Sequence, residues 1–252
     1  MKLIALDFDG VICNSAPENA AVGWRICRRL WKDTFPQREI TPADVERFCR
    51  IRPFLETGFQ GPLMTWMLNT GRSEEECGPG FTACQEEMLK ACGYTRQELK
   101  AALGTERDSW LAAEPEVWFD YNHLYPEAAE ILTAALQDRE SRVIILTTKE
   151  DRFVKAIFRR WNVPFPEENV YGLERIRTKE ETLLQLMAEC GADDVRFIED
   201  RVETLIRFQS VPGLEKVKLY LADWGYLTPP QLETGRANPG IKVVSSLREL
   251  FV

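Results

Sequence analysis

The sequence contains a single histidine, His123, and no Cys-x-x-Cys pair. A zinc site or a histidine-based catalytic triad is hard to build from so few of these residues. The seven cysteines are odd in number and scattered along the chain. This pattern is typical of reduced thiols rather than of a disulfide framework, and it predicts a cytoplasmic protein.

Long apolar runs and an excess of positive charge are also missing. No run approaches the roughly 18 apolar residues that a membrane helix needs. Asp7 and Asp9 interrupt the apolar start of the chain, which is therefore not typical of a secretory signal. The formal net charge is −8 at pH 7, so no global positive field attracts polyanions. We expect neither nucleic acid nor an anionic membrane as a partner, and an anionic substrate would need local cations.

Five short apolar runs stand out in the chain, each bounded by polar or turn residues. Helical patterns separate the last four of them. Alternation of strand and helix predicts an α/β fold with a doubly wound, mostly parallel sheet. The runs are Leu3–Leu6, Val143–Leu146, Val195–Ile198, Val217–Leu221 and Ile241–Val244.

Residues 15–122 have a different pattern, with no convincing strand and several helix starts. We predict that they form a helical domain inserted after the first strand, while residues 1–14 and 123–252 form the α/β domain. Each helix start is an N-cap residue followed by proline or by the capping-box spacing. These starts are Thr41, Ser73 and Thr95.

Two aspartates, Asp7 and Asp9, come where the first strand should end, and Gly10 follows them. Residues i and i+2 of a strand point to the same side, so both carboxylates would face one site. Two like charges held that close repel unless a cation lies between them or one binds a proton. The pattern therefore indicates metal-assisted chemistry, with an acidic turn that caps a helix as the alternative.

Polar residues also follow the next predicted strands, where ligands bind in open parallel sheets. Thr147 comes directly after one run, and its hydroxyl suits an anionic oxygen, although an N-cap is the alternative. Glu199 and Asp200 come after another, and so many oxygen ligands favour magnesium over zinc. Lys179 begins a helix, where the dipole disfavours a cation slightly, so a functional role is preferred over a solvated lysine.

The order of these motifs resembles that of the haloacid dehalogenase-like hydrolases, over the whole chain. The helical insertion is similarly placed in the capped members of that superfamily, such as phosphoglycolate phosphatases and β-phosphoglucomutases. The matching residues are Asp7-Phe8-Asp9-Gly10-Val11 for the first motif, Thr147 for the second, Lys179 for the third and Glu199-Asp200 for the fourth.

The resemblance implies a magnesium-dependent phosphatase that acts on a small phosphorylated metabolite. Asp7 would carry an aspartyl-phosphate, and Asp9 would act as general acid and then as general base. Lys179 and Thr147 would neutralise charge on the transferring oxygens. The magnesium ligands would be the Asp7 carboxylate, the Asp9 backbone carbonyl, Asp200 and, directly or through water, Glu199.

Substrate contacts are predicted for Gly10, Thr148 and Arg52, of which Arg52 lies between apolar residues at a helix break. A structural ion pair is the alternative for Arg52. The helical insertion would close over the site and exclude bulky substrates.

Two positions depart from the family pattern, because Asn14 and Thr204 stand where many members have acidic residues; Glu203 is the candidate to replace the latter. A phosphomutase with the same catalytic residues and a catalytically silent binding protein remain open as alternatives. A signalling receiver domain fits less well, because its acidic residues all precede its threonine and lysine.

Overall fold

The computed structural model describes residues 1–251, which divide into two compact units. One unit, here the α/β unit, contains residues 1–14 and the described residues from 123 onward. The other, the helical unit, contains residues 15–122. Each has a hydrophobic core of its own. Within residues 1–251, no helix combines the length and the apolar character needed to cross a membrane.

Residues 15–122 contain helices and no strand. Thr41, Ser73 and Thr95 each accept a hydrogen bond from the backbone three residues on, which starts three of the helices with a capping box. The helices are α1 (Ala16–Leu30), α2 (Pro42–Ile51), α3 (Gln60–Asn69), α4 (Glu74–Cys77), α5 (Phe81–Cys92), α6 (Arg96–Ala113) and α7 (Pro115–Phe119), with a 3-10 turn at Arg52–Phe54.

The α/β unit is built on a parallel sheet. The strands of this unit are β1 (Lys2–Leu6), β2 (Cys13–Asn14), β3 (His123–Leu124), β4 (Ser141–Leu146), β5 (Val170–Tyr171), β6 (Asp194–Glu199), β7 (Lys218–Ala222) and β8 (Ile241–Val244). Six of them form the sheet in the order β5-β4-β1-β6-β7-β8, with every neighbouring pair parallel. The short strands β2 and β3 pair antiparallel. All five apolar runs are strands of the parallel sheet, so the predicted α/β fold is confirmed.

Helices connect the strands of this sheet. They are α8 (Ala128–Ala135), α9 (Asp151–Arg160), α10 (Lys179–Cys190), α11 (Val202–Gln209) and α12 (Pro229–Ala237), with 3-10 turns at Glu167–Asn169 and Leu247–Leu250. Leu3 and Ala5 of β1 pack in a cluster with Leu183 and Leu205 of two of these helices, and Phe8 meets Phe158 of another edge to face. Leu3, Ile4, Ala5 and Leu6 are all buried, so β1 is covered on both faces, which explains why its sequence is continuously apolar.

Strand β1 lies between β4 and β6, with Leu6 paired to Ile145 on one side and Ile198 on the other. From β1 the sheet extends through β4 and β5 in one direction and through β6, β7 and β8 in the other. The segments that follow β1, β4 and β6 therefore leave the sheet at the same edge. A crevice at such a switch of winding direction is where open parallel sheets bind ligands.

Candidate active site

Asp7 continues the course of β1, because its backbone N–H donates to the carbonyl of Ile198 at 3.0 Å. The chain then turns sharply, and the carbonyl of Phe8 accepts hydrogen bonds from the backbone N–H groups of Ile12 and Cys13. Asp7 is thereby held at the end of the strand with only 6% of its surface exposed. The strand and the turn together place a buried carboxylate at the crevice.

Lys179 lies between two buried carboxylates. Its Nζ is 2.9 Å from Oδ1 of Asp7 and 2.6 Å from Oε2 of Glu199. Thr178 caps α10 by accepting a hydrogen bond from the backbone of Glu181, so Lys179 begins the helix. Burial by itself lowers the pKa of Lys179, but the two carboxylates outweigh it and raise this pKa above its ordinary value. Lys179 is therefore a fixed positive charge beside Asp7.

Lys179 does not fully balance the negative charges of the carboxylates at this site. Burial and the negative charge of Glu199 raise the pKa of Asp7 to about 7, against the opposing effect of Lys179. Burial also raises the pKa of Glu199. One oxygen each of Asp7, Glu199 and Asp200 lies within 4.8 Å of the others. Three hard oxygen donors with unbalanced charge fit a divalent cation of the magnesium type.

Asp200 is held by residues that follow β7. Its Oδ2 accepts a hydrogen bond from the backbone N–H of Tyr226 at 2.8 Å, and the hydroxyl of Tyr226 donates to Oδ1 of Asn14. Tyr226 thus connects the segment after β7 both to Asp200 and to Asn14 of β2. Tyr226 is not among the residues predicted from the sequence, because nothing local marks a tyrosine whose partners lie far away in the chain.

Gly10 allows Asp200 to approach the loop after β1. Its φ is +83°, and a Cβ added there would lie 2.0 Å from Oδ2 of Asp200. Both observations require glycine, since other residues rarely adopt this backbone conformation and none would fit the space. A structural reason is therefore sufficient for Gly10, and its predicted contact with substrate stays a prediction.

We expect Gly10→Ala to lower the free energy of unfolding of the α/β unit by about 2 to 4 kcal/mol, because backbone strain adds to a displacement of Asp200. The matched control is Gly191→Ala, where φ is +57° and nothing lies within 4 Å of the added Cβ. That variant should lose only about 1 kcal/mol. Urea unfolding measures both, and equal losses would contradict the close approach at Gly10.

Thr147 follows β4 and is 1% exposed. Its backbone N–H donates to the carbonyl of Tyr171, and its Oγ1 accepts a hydrogen bond from the backbone N–H of Lys149 at 3.2 Å. A hydroxyl that accepts at its oxygen still has its proton to donate. Thr147 is therefore suited to donate a hydrogen bond to an anionic oxygen.

Asp9 has a different partner from Asp7. Its Oδ1 lies 3.2 Å from Nζ of Lys149, whose side chain is fully buried. Lys149 was absent from the predicted site residues, although its position two residues after Thr147 was a signal that could have found it. The sequence does not indicate which of the two lysines pairs with which aspartate.

For the other predicted residues, the structure gives burial and hydrogen-bond partners. Thr148 is exposed at the end of β4, and Glu203 is exposed and accepts a hydrogen bond from Gln231. Glu203 is therefore not part of the acidic cluster, and Thr204 is buried in the first turn of α11. Arg52 belongs to the helical unit, where it donates to the carbonyl of Leu55 at 3.3 Å.

Solved structures of similar fold cover nearly the whole chain. A predicted phosphatase from Clostridium acetobutylicum has a TM-score of 0.60 at 18% identity, over 99% of this chain and 95% of the other. A predicted phosphoglycolate phosphatase from Haemophilus somnus 129PT has a TM-score of 0.63 at 14% identity, over 100% and 96%. A HAD-superfamily hydrolase of subfamily IA from Geobacter sulfurreducens PCA has a TM-score of 0.55 at 13% identity, over 100% and 95%.

The sequence itself matches no protein-family model and no curated protein. At identities this low, the structural similarity establishes the fold. It extends over both units and agrees with the resemblance found in the sequence motifs. The chain has the fold of the haloacid dehalogenase-like hydrolases.

Proposed function

We propose that this chain is a magnesium-dependent phosphatase that hydrolyses a small phosphomonoester through a phosphorylated Asp7. The observation that carries the proposal is the buried cluster of Asp7, Lys179, Glu199 and Asp200 at the carboxyl ends of the central strands. Structural neighbours described as phosphatases support the reaction class. The cluster supplies a nucleophile, a fixed cation and a metal site within a few ångströms, as phosphoryl transfer requires.

In the first half of the proposed reaction, a carboxylate oxygen of Asp7 attacks phosphorus. The bond from phosphorus to the leaving oxygen breaks, and protonated Asp9 gives its proton to that oxygen. An alcohol leaves, and the phosphoryl group stays on Asp7.

In the second half, the Asp9 carboxylate takes a proton from water, and the resulting hydroxide attacks phosphorus. The bond to Asp7 breaks, which releases inorganic phosphate and restores both aspartates. The position of Asp9, two residues after Asp7 in the same turn, supports this double role.

Positive charge must balance the transferring phosphoryl oxygens during both halves. Lys179 contributes a fixed ammonium, and Thr147 can donate its hydroxyl proton. We propose that the Asp7 and Asp200 carboxylates and the Asp9 carbonyl hold Mg²⁺. Glu199 either contributes a further ligand or acts by orienting Lys179, with which it forms an ion pair. The bound ion would supply electrostatic stabilisation of the phosphoryl oxygens.

The proposed substrate is a small metabolite rather than a polyanion, as the net charge of −8 favours. We also propose a cytoplasmic location, supported by seven free cysteines. The roles of the helical unit as a cap and of Arg52 and Thr148 in substrate contact stay predictions.

Release of inorganic phosphate from a panel of small phosphomonoesters, 2-phosphoglycolate among them, tests the proposed function. We expect turnover that is lost on addition of a chelator and restored by Mg²⁺. Ca²⁺ should restore turnover poorly, because calcium prefers more oxygen ligands, at longer distances, than the few that are proposed here. The decrease on chelation should be at least about 100-fold, since the ion carries much of the charge stabilisation.

Two other outcomes would contradict the proposal. An isomerised sugar phosphate without released phosphate would identify a phosphomutase. No turnover together with no Mg²⁺ binding by calorimetry would identify a binding protein on a hydrolase fold.

A further inference from the structure

Lys149 is a second buried lysine at the same edge of the sheet. Its side chain is 0% exposed, and its Nζ lies 3.2 Å from Oδ1 of Asp9. Burying an ammonium group without a negative partner is strongly unfavourable. The ion pair with Asp9 compensates for this burial. Lys149 contacts the proposed acid and base, whereas Lys179 contacts the proposed nucleophile.

The backbone of Lys149 is held from two neighbouring strands. Its N–H donates to Oγ1 of Thr147 after β4, and its carbonyl accepts from the N–H of Leu173 after β5. Gly172 packs so closely that an added Cβ would lie 2.5 Å from the Lys149 carbonyl oxygen. The ammonium group is therefore presented from a constrained backbone, at a site that also orients the Thr147 hydroxyl.

Asp9, by contrast, lies in the turn after β1 with 19% of its side chain exposed. A carboxylate with access to water samples several orientations unless a partner selects one. Proton transfer requires the donor to lie within about 2.6–3.2 Å of the reacting oxygen. A displacement of about 1 Å at such a group can lower a rate about 100-fold.

We propose that Lys149 is a positioning residue, which holds the Asp9 carboxylate in the orientation required for proton transfer. This inference rests on the proposed phosphatase function and assigns Lys149 a role within it. In this role the Lys149 side chain acts on the reaction through Asp9, and its removal should change turnover rather than substrate binding.

A double-mutant cycle in the full chain with Mg²⁺ tests the inference, with p-nitrophenyl phosphate as the probe. Lys149→Met should lower kcat about 10- to 100-fold and leave KM within about twofold. Lys149→Met in the Asp9→Asn background should change kcat by less than about twofold, because the carboxylate that Lys149 positions is already absent. The matched control is Lys155→Met, since Lys155 lies on α9 with a distant partner, Asp151 at 3.9 Å.

Lys149→Gln provides a second variant that keeps a hydrogen-bond donor for Asp9. Lys149→Gln should recover part of the kcat lost in Lys149→Met. Where the methionine variant does not fold, the same double-mutant cycle is measured with Lys149→Gln. Partial recovery of kcat by a hydrogen-bond donor is expected if Lys149 positions Asp9, and it is not expected if the loss comes from general damage to the fold.

The cycle has three outcomes that would overturn the inference. An equal loss in both backgrounds would show that Lys149 supports the structure as a whole. A raised KM with unchanged kcat would show that it binds substrate. No phosphate release by the unmodified chain would overturn the proposed function together with this role, whereas the first two leave that function intact.

Discussion

Asp7→Asn should reduce metal-dependent phosphate release by at least about 10⁴-fold, because it removes the proposed nucleophile. The amide has nearly the shape of the carboxylate and cannot form the acyl phosphate. The substitution also removes one of the negative charges that a cation at the site would balance. Steady-state phosphate release with Mg²⁺ present, on the best substrate of the panel, measures the effect.

The loss must be separated from a loss of folding. Asp7 is a buried carboxylate with a pKa of about 7, so its replacement by a neutral group relieves unfavourable burial and should leave the thermal unfolding midpoint near that of the unmodified chain. Asp193→Asn is the matched control, because Asp193 is exposed and pairs with the N-terminal ammonium. It should keep turnover within about twofold.

A direct test of the covalent role uses acid-quenched protein. The unmodified chain should carry the mass of one phosphoryl group on the peptide that contains Asp7, and Asp7→Asn should not. Full turnover by Asp7→Asn, or a phosphoryl group on another residue, would contradict the assignment of the nucleophile.

The second large effect is expected for Lys179→Met. Without this ammonium group, the buried carboxylates of Asp7 and Glu199 lose their shared partner. Removing one member of a buried ion pair typically destabilises a protein by about 3–5 kcal/mol. We expect a loss of free energy of unfolding in this range. We also expect a decrease in kcat of about 10³-fold, because the ammonium group proposed to neutralise the transferring oxygens is gone.

Urea unfolding and phosphate release measure the two effects separately. Added Mg²⁺ should restore part of the stability, since a cation among the carboxylates replaces some of the missing charge, but it should not restore kcat. Lys218→Met is the matched control, because Lys218 pairs with Asp194 while 56% of its side chain is exposed. It should lose less than about 1 kcal/mol. Equal losses in the two variants would contradict a special role for Lys179.

The α/β fold could be predicted because its signals are local. Leu3–Leu6 and the other apolar runs become strands that are buried on both faces, and this environment requires a continuous apolar sequence. Strand β5 was not predicted, since a strand of two residues, Val170–Tyr171, is too short to show a pattern. Its register beside β4 depends on pairing and not on its own sequence.

The candidate site was predicted in part, for a related reason. Asp7, Thr147 and Glu199 follow or end predicted strands, so their presence at one edge follows from a parallel sheet. The sequence makes Glu203 a candidate for an additional acidic residue at the site, but its side chain is exposed to solvent and accepts a hydrogen bond from Gln231. Its direction depends on how α11 rotates against the sheet, which the position after Asp200 does not determine.

The sequence by itself determined the type of fold and the kinds of side chain available at the strand ends, because periodicity and motif order are properties of the chain. Only the tertiary structure decided how the charges pair. Lys149 meets Asp9 across 140 residues, and Lys179 meets both Asp7 and Glu199. These pairs exist because β1 lies between β4 and β6, and strand order arises from packing the whole sheet rather than from any local segment.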